Sequence, residues 1–316
     1  MDQAAQIINR VLPILLLIIL GYWMRRTNFV SEGTIDDIRK LVINFGLPSV
    51  LFLSFLNIQL ELKYLVLFII LFLLCILLYL LGKFLKGQFN IQHTYFPFMT
   101  TGFEYGMLGI SLFGAAYGLE NIGYIAIVDL GHEIFIWFVF LALLLIQRDG
   151  IQDPKLIIKS FLKSPVIIAI LLGILLNILG AKDLLYQLPV TGALIETLKY
   201  LGYLTIPLIL IIVGYGIKFD RLGFKDASLV VTLRLSILIP LALILIVFLF
   251  RGPLQLGRPF EAALFTLLIL PPPFIVPLYI KPENINDKNY VNNVLTVHTV
   301  VTIIIFTIFF ILNPSI

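Results

Sequence analysis

Charge is scarce in this chain. Of 316 residues only 13% are Asp, Glu, Lys or Arg, where a water-soluble globular protein carries about 25%, and that excludes most soluble enzymes. The single cysteine, Cys75, lies inside an apolar run, so an intrachain disulfide and a cysteine metal cage are both excluded, and thiol redox chemistry is not expected. Histidine occurs three times. HEIFIW lacks the second His of H-E-x-x-H, and no Ser/Lys or Asp/Asp pair stands in a recognised catalytic context, so an enzymatic role is not expected. No small-residue cleavage site follows MDQAAQIINR, and the first apolar segment is as long as those after it, so it reads as a mature span. What the chain has is hydrophobic side chains: 60% of its residues, 26 of them Phe. Runs such as VLPILLLIILGYW and LFIILFLLCILLYLLG approach the roughly 20 residues needed to cross a bilayer and recur along the whole length. The fold class expected is an all-α polytopic membrane protein.

Cutting at charged and turn-rich segments predicts ten spans: 7–24, 38–57, 64–84, 95–118, 122–146, 156–180, 192–217, 226–250, 259–281 and 291–312. Loops after the odd-numbered spans hold Arg25, Arg26, Arg39, Lys40, Lys83, Lys86, Arg148, Lys155, Lys159, Lys163, Lys218, Arg221, Lys225, Lys281 and Lys288. The opposite face holds only Arg10, Lys63, Lys182, Lys199, Arg251 and Arg258. Cationic loops stay cytoplasmic, so both termini are expected outside, in a bacterial cytoplasmic membrane. The net charge of +4 is then a topology signal, and nucleic acid is not an expected partner.

The two halves echo each other. Pro13 in span one matches Pro165 in span six, and Pro48 in span two loosely matches Pro207 in span seven. His132 and His298 lie 166 residues apart, and the same shift lays Gly106 of span four near Pro272 of span nine. Five spans per half is odd, so the halves must enter the membrane in opposite senses. The expectation is a 5+5 inverted repeat, 1–146 and 156–316, joined by a short cytoplasmic linker at 147–155.

Spans four and nine make poor uninterrupted helices. Span four, FPFMTTGFEYGMLGISLFGAAYG, carries Gly102, Gly106, Gly109, Gly114 and Gly118 around Glu104. Span nine contains Pro271, Pro272 and Pro273, which remove three consecutive backbone donors. Backbone opened at membrane depth is tolerated only where protein or a water-filled cavity satisfies it, and paired interruptions in two halves point to a binding site. Together with INFGLPSVLF in span two, GYGIKF in span seven and LPPPFIVPLY in span nine, these segments make the chain resemble the auxin efflux carrier family over essentially all ten spans. That group includes plant auxin exporters and bacterial permeases for malate, malonate and similar acids. The resemblance implies a scaffold of spans one, two, six and seven that forms a homodimer, a mobile domain of spans three to five and eight to ten, crossing broken helices at the substrate site, and elevator-type transport. The family's span four usually reads Asn-x-Gly-x-x-Gly-x-Pro; here Glu104 stands at the Asn position and Ser111 at the Pro position.

A charged side chain at mid-membrane costs about 2.5–3.5 kcal/mol on insertion scales, so each needs a partner or a task. Asp129, His132 and Glu133 of VDLGHEIFIW fall on one sector of a helix. Glu104 and His298 join them if the halves are symmetric, and Arg234 is the only permanent cation in a span interior. Three close carboxylates cannot all stay ionised without a compensating cation, so Glu104, Asp129 and Glu133, with His132 and His298, are expected to couple transport to a proton or to hold a cation such as sodium. An anionic substrate would be held by half-helix N-termini at the crossover. Gly102, Glu104, Gly106, Gly109, Pro271, Pro272, Pro273 and Asn44, which precedes the Gly46–Pro48 kink, are the expected substrate contacts. The expected function is secondary transport of a small organic acid without a cofactor. The alternatives are a channel-like pore and a carrier of a cationic or zwitterionic solute. Asn292 and Asn293 read as helix caps, and His93 as a solvated loop residue.

Overall fold

The computed structural model describes residues 3–150, 162–217, 223–281 and 283–316, with side chains from residue 9. Most of the 147–155 linker, the start of span six and the basic residues Lys155, Lys159, Lys218 and Arg221 lie outside the described residues. Among those described there is no strand. Among the described residues six helices are long and apolar enough to cross a membrane: α2 (Glu32–Asn57), α3 (Tyr64–Gln88), α6 (Leu119–Asp149), α9 (Pro189–Gly216), α10 (Phe224–Phe250) and α12 (Ile285–Leu312). Around them are α1 (Gln3–Arg26), the one-turn α4 (Phe96–Met99), α5 (Tyr105–Tyr117), α7 (Pro165–Ile178), α8 (Lys182–Gln187) and α11 (Arg258–Ile269).

Helix starts follow caps rather than the edge of the apolar run. α2 begins at Glu32 and not at residue 38, because Ser31 accepts the Thr34 N–H at 3.1 Å and carries the charged turns EGTIDDIRKL into the helix. α12 starts at Ile285 without a side-chain cap, which leaves Asn292 and Asn293 inside the helix instead of capping it. Prolines at the first turns of α7 and α9 set their starts.

Packing divides the helices into two groups. α1 lies along α9, and α2 along α7 and α9. Where α1 meets α9 the backbones touch through reciprocal glycines: Gly21 faces the Ile211 carbonyl, and Gly214 faces that of Ile18. Asn177 of α7 bonds the Phe55, Leu56 and Ile58 carbonyls at the end of α2. In the second group α3 packs on α6, with Gly131 against the Phe68 carbonyl, α10 packs on α12, and α11 bridges α6 and α10. α5 lies at the seam, touching α1 and α9 on one side and α6 and α12 on the other.

Candidate functional site

Both interrupted spans break at the same place in the molecule. Between α4 and α5 the chain turns through Gly102 at φ +71°, and a Cβ there would stand 2.9 Å from Pro273 Cγ and 3.0 Å from Ile136 Cδ1. Positive φ and lack of space together demand glycine. α11 stops at Ile269, and the chain resumes regular structure only in a 3₁₀ turn at Val276–Tyr279. Pro271, Pro272 and Pro273 hold that gap open by having no N–H to give a helix.

Glu104 joins the two breaks. Its backbone N–H donates to the Pro271 carbonyl at 2.8 Å. Its carboxylate accepts the Met107 N–H on Oε1 at 3.1 Å, capping α5, and the Phe274 N–H of the opposite break on Oε2 at 2.5 Å. One side chain thus serves as cap for one half-helix and bolt to the other. Nearby, Tyr105 is 4% exposed and its hydroxyl has no hydrogen-bond partner. Gly109 lies where a Cβ would meet Leu270 Cδ1 at 2.8 Å and the Tyr105 ring at 3.4 Å, whereas Gly106 faces only Leu47, at 3.8 Å.

The two in-span histidines tie these breaks to their supporting helices. His132 accepts the Phe103 N–H on Nε2 at 2.9 Å, which puts its ring proton on Nδ1, 2.7 Å from Asp129 Oδ1. His298 accepts from Arg234 Nε on Nε2 at 3.3 Å, so its Nδ1 proton points to Thr302 Oγ1 at 3.1 Å; that hydroxyl donates to the Ile269 carbonyl at 2.6 Å. Phe103 and Ile269 are themselves 166 residues apart, as the histidines are. Arg234, 2% exposed, also donates to the carbonyls of Gly102 at 2.8 Å, Leu270 at 3.2 Å and Met99 at 3.4 Å. It therefore answers carbonyls of both breaks at once.

Asp129, His132 and Glu133 come together, with their ligand atoms within 4.8 Å of one another. Both nitrogens of His132 are engaged, so the imidazole is no free metal ligand, and Glu133 Oε1 accepts from Trp137 Nε1 at 2.8 Å. A cation there would rest on Asp129 and Glu133 oxygens, a hard-oxygen set that suits sodium better than zinc. His298 is held by Arg234 and Thr302, apart from the hydrogen bonds of that cluster, because the Arg234 guanidinium fills its open nitrogen. Asn44 is exposed and gives its amide to the Lys40 carbonyl one turn back, at 2.7 Å, rather than to the crossover. His93 is not simply solvated: it stacks on Tyr290 at 3.7 Å and faces Asp226 at 3.5 Å.

Residues 6–311 match the family described as Membrane transport protein. The chain belongs to this family, the auxin efflux carrier group that its motifs resemble. An uncharacterized transporter of Methanocaldococcus jannaschii is 28% identical over 225 residues, covering 68% of this chain and 70% of that one. A second, from Methanothermobacter thermautotrophicus, is 28% identical over 237 residues, covering 72% and 74%. As a member of this membrane transport family, the protein is an integral membrane transporter of small molecules, and the crossover is the part of it built from both interrupted spans.

Proposed function

We propose that the protein is a secondary active transporter of ten spans, arranged as two inverted five-helix repeats, with its solute site at the crossover of the interrupted spans. The observation that carries this reading is Glu104, whose carboxylate bonds both breaks. The repeat is supported by reciprocal packing, α1 on α9 against α2 on α7, and α3 on α6 against α10 on α12. The shared 166-residue shift of the histidines and their contacts supports it as well. The α1–α2–α7–α9 group serves as scaffold and dimer surface; the other group, with the crossover, slides against it in an elevator movement. Asp129 and Glu133 couple that movement to a proton or a sodium ion, and the cytoplasmic membrane holds the chain with both termini outside.

The solute is a small organic acid, as the sequence reading expects, with a cationic or zwitterionic solute as the alternative; Glu104 takes the Met107 and Phe274 N–H groups, so an acid would bond the remaining N–H groups of the half-helix starts. The polar side chains gather at one place rather than in rings along a pore, which supports the carrier over the channel reading. Planar-bilayer recording of purified protein is expected to give no unitary currents, while proteoliposomes show saturable, gradient-driven uptake; unitary conductance would defeat the carrier.

A further inference from the structure

A helix leaves its last carbonyls without partners of its own, and the end of α5 away from the crossover shows where such carbonyls turn. The Gly114 carbonyl accepts the Gly118 N–H at 2.9 Å and the Tyr117 carbonyl accepts Asn121 Nδ2 at 2.7 Å, both from the chain just beyond α5. The Ala116 carbonyl takes its donor from the other helix group: Arg10 of α1 reaches it with Nη1 at 3.0 Å. A cation is favoured at a helix C-terminus, so this guanidinium both caps α5 and faces its negative end. Among the described residues no other side-chain hydrogen bond or ion pair joins α1, α2, α7, α8 or α9 to α3–α6 or α10–α12. We propose that Arg10 is a latch between the two groups, closed in this structure and opened each time one group slides against the other. This rests on reading α1, α2, α7 and α9 as the scaffold and the rest as the moving part.

The remainder of the seam is built to slip. A Cβ at Gly114 of α5 would stand 2.6 Å from Ile206 Cδ1, at Gly123 of α6 2.7 Å from Ile58 Cδ1, and at Gly106 of α5 3.8 Å from Leu47 Cδ1. Across the seam the glycines therefore meet the far ends of flexible apolar side chains, which can turn aside as a helix passes. Inside each group they meet backbone instead: Gly21 and Gly214 where α1 lies on α9, and Gly131 where α6 lies on α3. A backbone carbonyl cannot turn aside, so those contacts hold each group rigid. The Arg10 bond opens at modest cost because a cavity of about 250 Å³, lined by Arg10, Tyr117, Glu120, Asn121, Phe310 and Ser315, lies beside it. That polar space has room for water to replace both the donor and the acceptor when they part.

The test is a distance measurement between two spin labels on the full-length protein in proteoliposomes. Phe84 of α3 and Tyr200 of α9 are exposed and belong to different groups, so Phe84→Cys and Tyr200→Cys, with Cys75→Ser, carry the labels. The protein with Arg10 is expected to show two distance populations, the larger matching this structure. Arg10→Met is expected to move their ratio about three- to tenfold away from that population, the range for loss of one hydrogen bond. Arg10→Lys, which keeps the charge without the planar fork, should fall between the two; if Arg10→Met does not fold, Arg10→Lys against the native residue decides. The same two populations in the same ratio with and without Arg10 overturn the latch and leave the sliding reading standing. One unmoved distance in every variant overturns both.

Discussion

Arg234 and Glu104 divide the crossover between them: the guanidinium answers open carbonyls and the carboxylate answers open N–H groups. Removing Arg234 leaves the buried Gly102 and Leu270 carbonyls and the His298 ring nitrogen without a donor, which costs about 1–3 kcal/mol for each group left unsatisfied. Arg234→Met is therefore expected to lower the melting temperature sharply. Arg234→Lys should fall between it and the native protein, because an ammonium keeps the charge but lacks the planar fork that reaches carbonyls of both breaks. Equal melting of Arg234→Met and native protein in detergent would contradict this role. The sequence marked Arg234 as the only permanent cation in a span interior but not its task. Its main partners are backbone carbonyls, and a carbonyl has the same identity at every position. Asn44 misled for the opposite reason: a polar residue beside a kink suggests a ligand, but the nearest acceptor, the Lys40 carbonyl, took its amide. That Glu104, Asp129 and His132 are buried and hydrogen-bonded near the breaks was legible because an ionisable group in an apolar span needs a partner.

At the scale of helices, close packing depends on a few glycines whose missing side chains face backbone. A Cβ at Gly131 would press on the Phe68 carbonyl, so Gly131→Val must force α3 and α6 apart, at a cost of about 1–3 kcal/mol. Gly87, on the same α3 and with open space around it, is the control; Gly87→Ala should be neutral or stabilising by up to about 1 kcal/mol. Similar losses at both positions, measured by thermal unfolding, would show that packing at Gly131 is not special. The broken spans were readable because glycine and proline act on the backbone directly. Helix starts were less so. The apolar run ends where the bilayer core ends, but α2 and α12 continue into charged turns at Glu32 and Ile285, and at α2 the Ser31 cap sets that end.

For the whole molecule, the asymmetry of Lys and Arg supports the proposal that both termini lie outside, which would fix the sense of every span between them. With the buried Cys75 replaced by Ser, single cysteines introduced as Gln3→Cys and Ser315→Cys should react with an impermeant maleimide added to intact cells. Gln88→Cys, at the end of α3 on the basic side, should react only after lysis. Labelling of the two termini on opposite sides would exclude ten spans. The central claim is that the interrupted spans meet at a working carboxylate and not only at a structural one. It is tested most directly by uptake into proteoliposomes of a radiolabelled solute that stabilises the protein, driven by a proton or sodium gradient, with Glu104→Gln beside the native chain. The account predicts saturable accumulation by the native protein and none by the variant, although the variant still folds and reconstitutes. Equal accumulation by the two would contradict it.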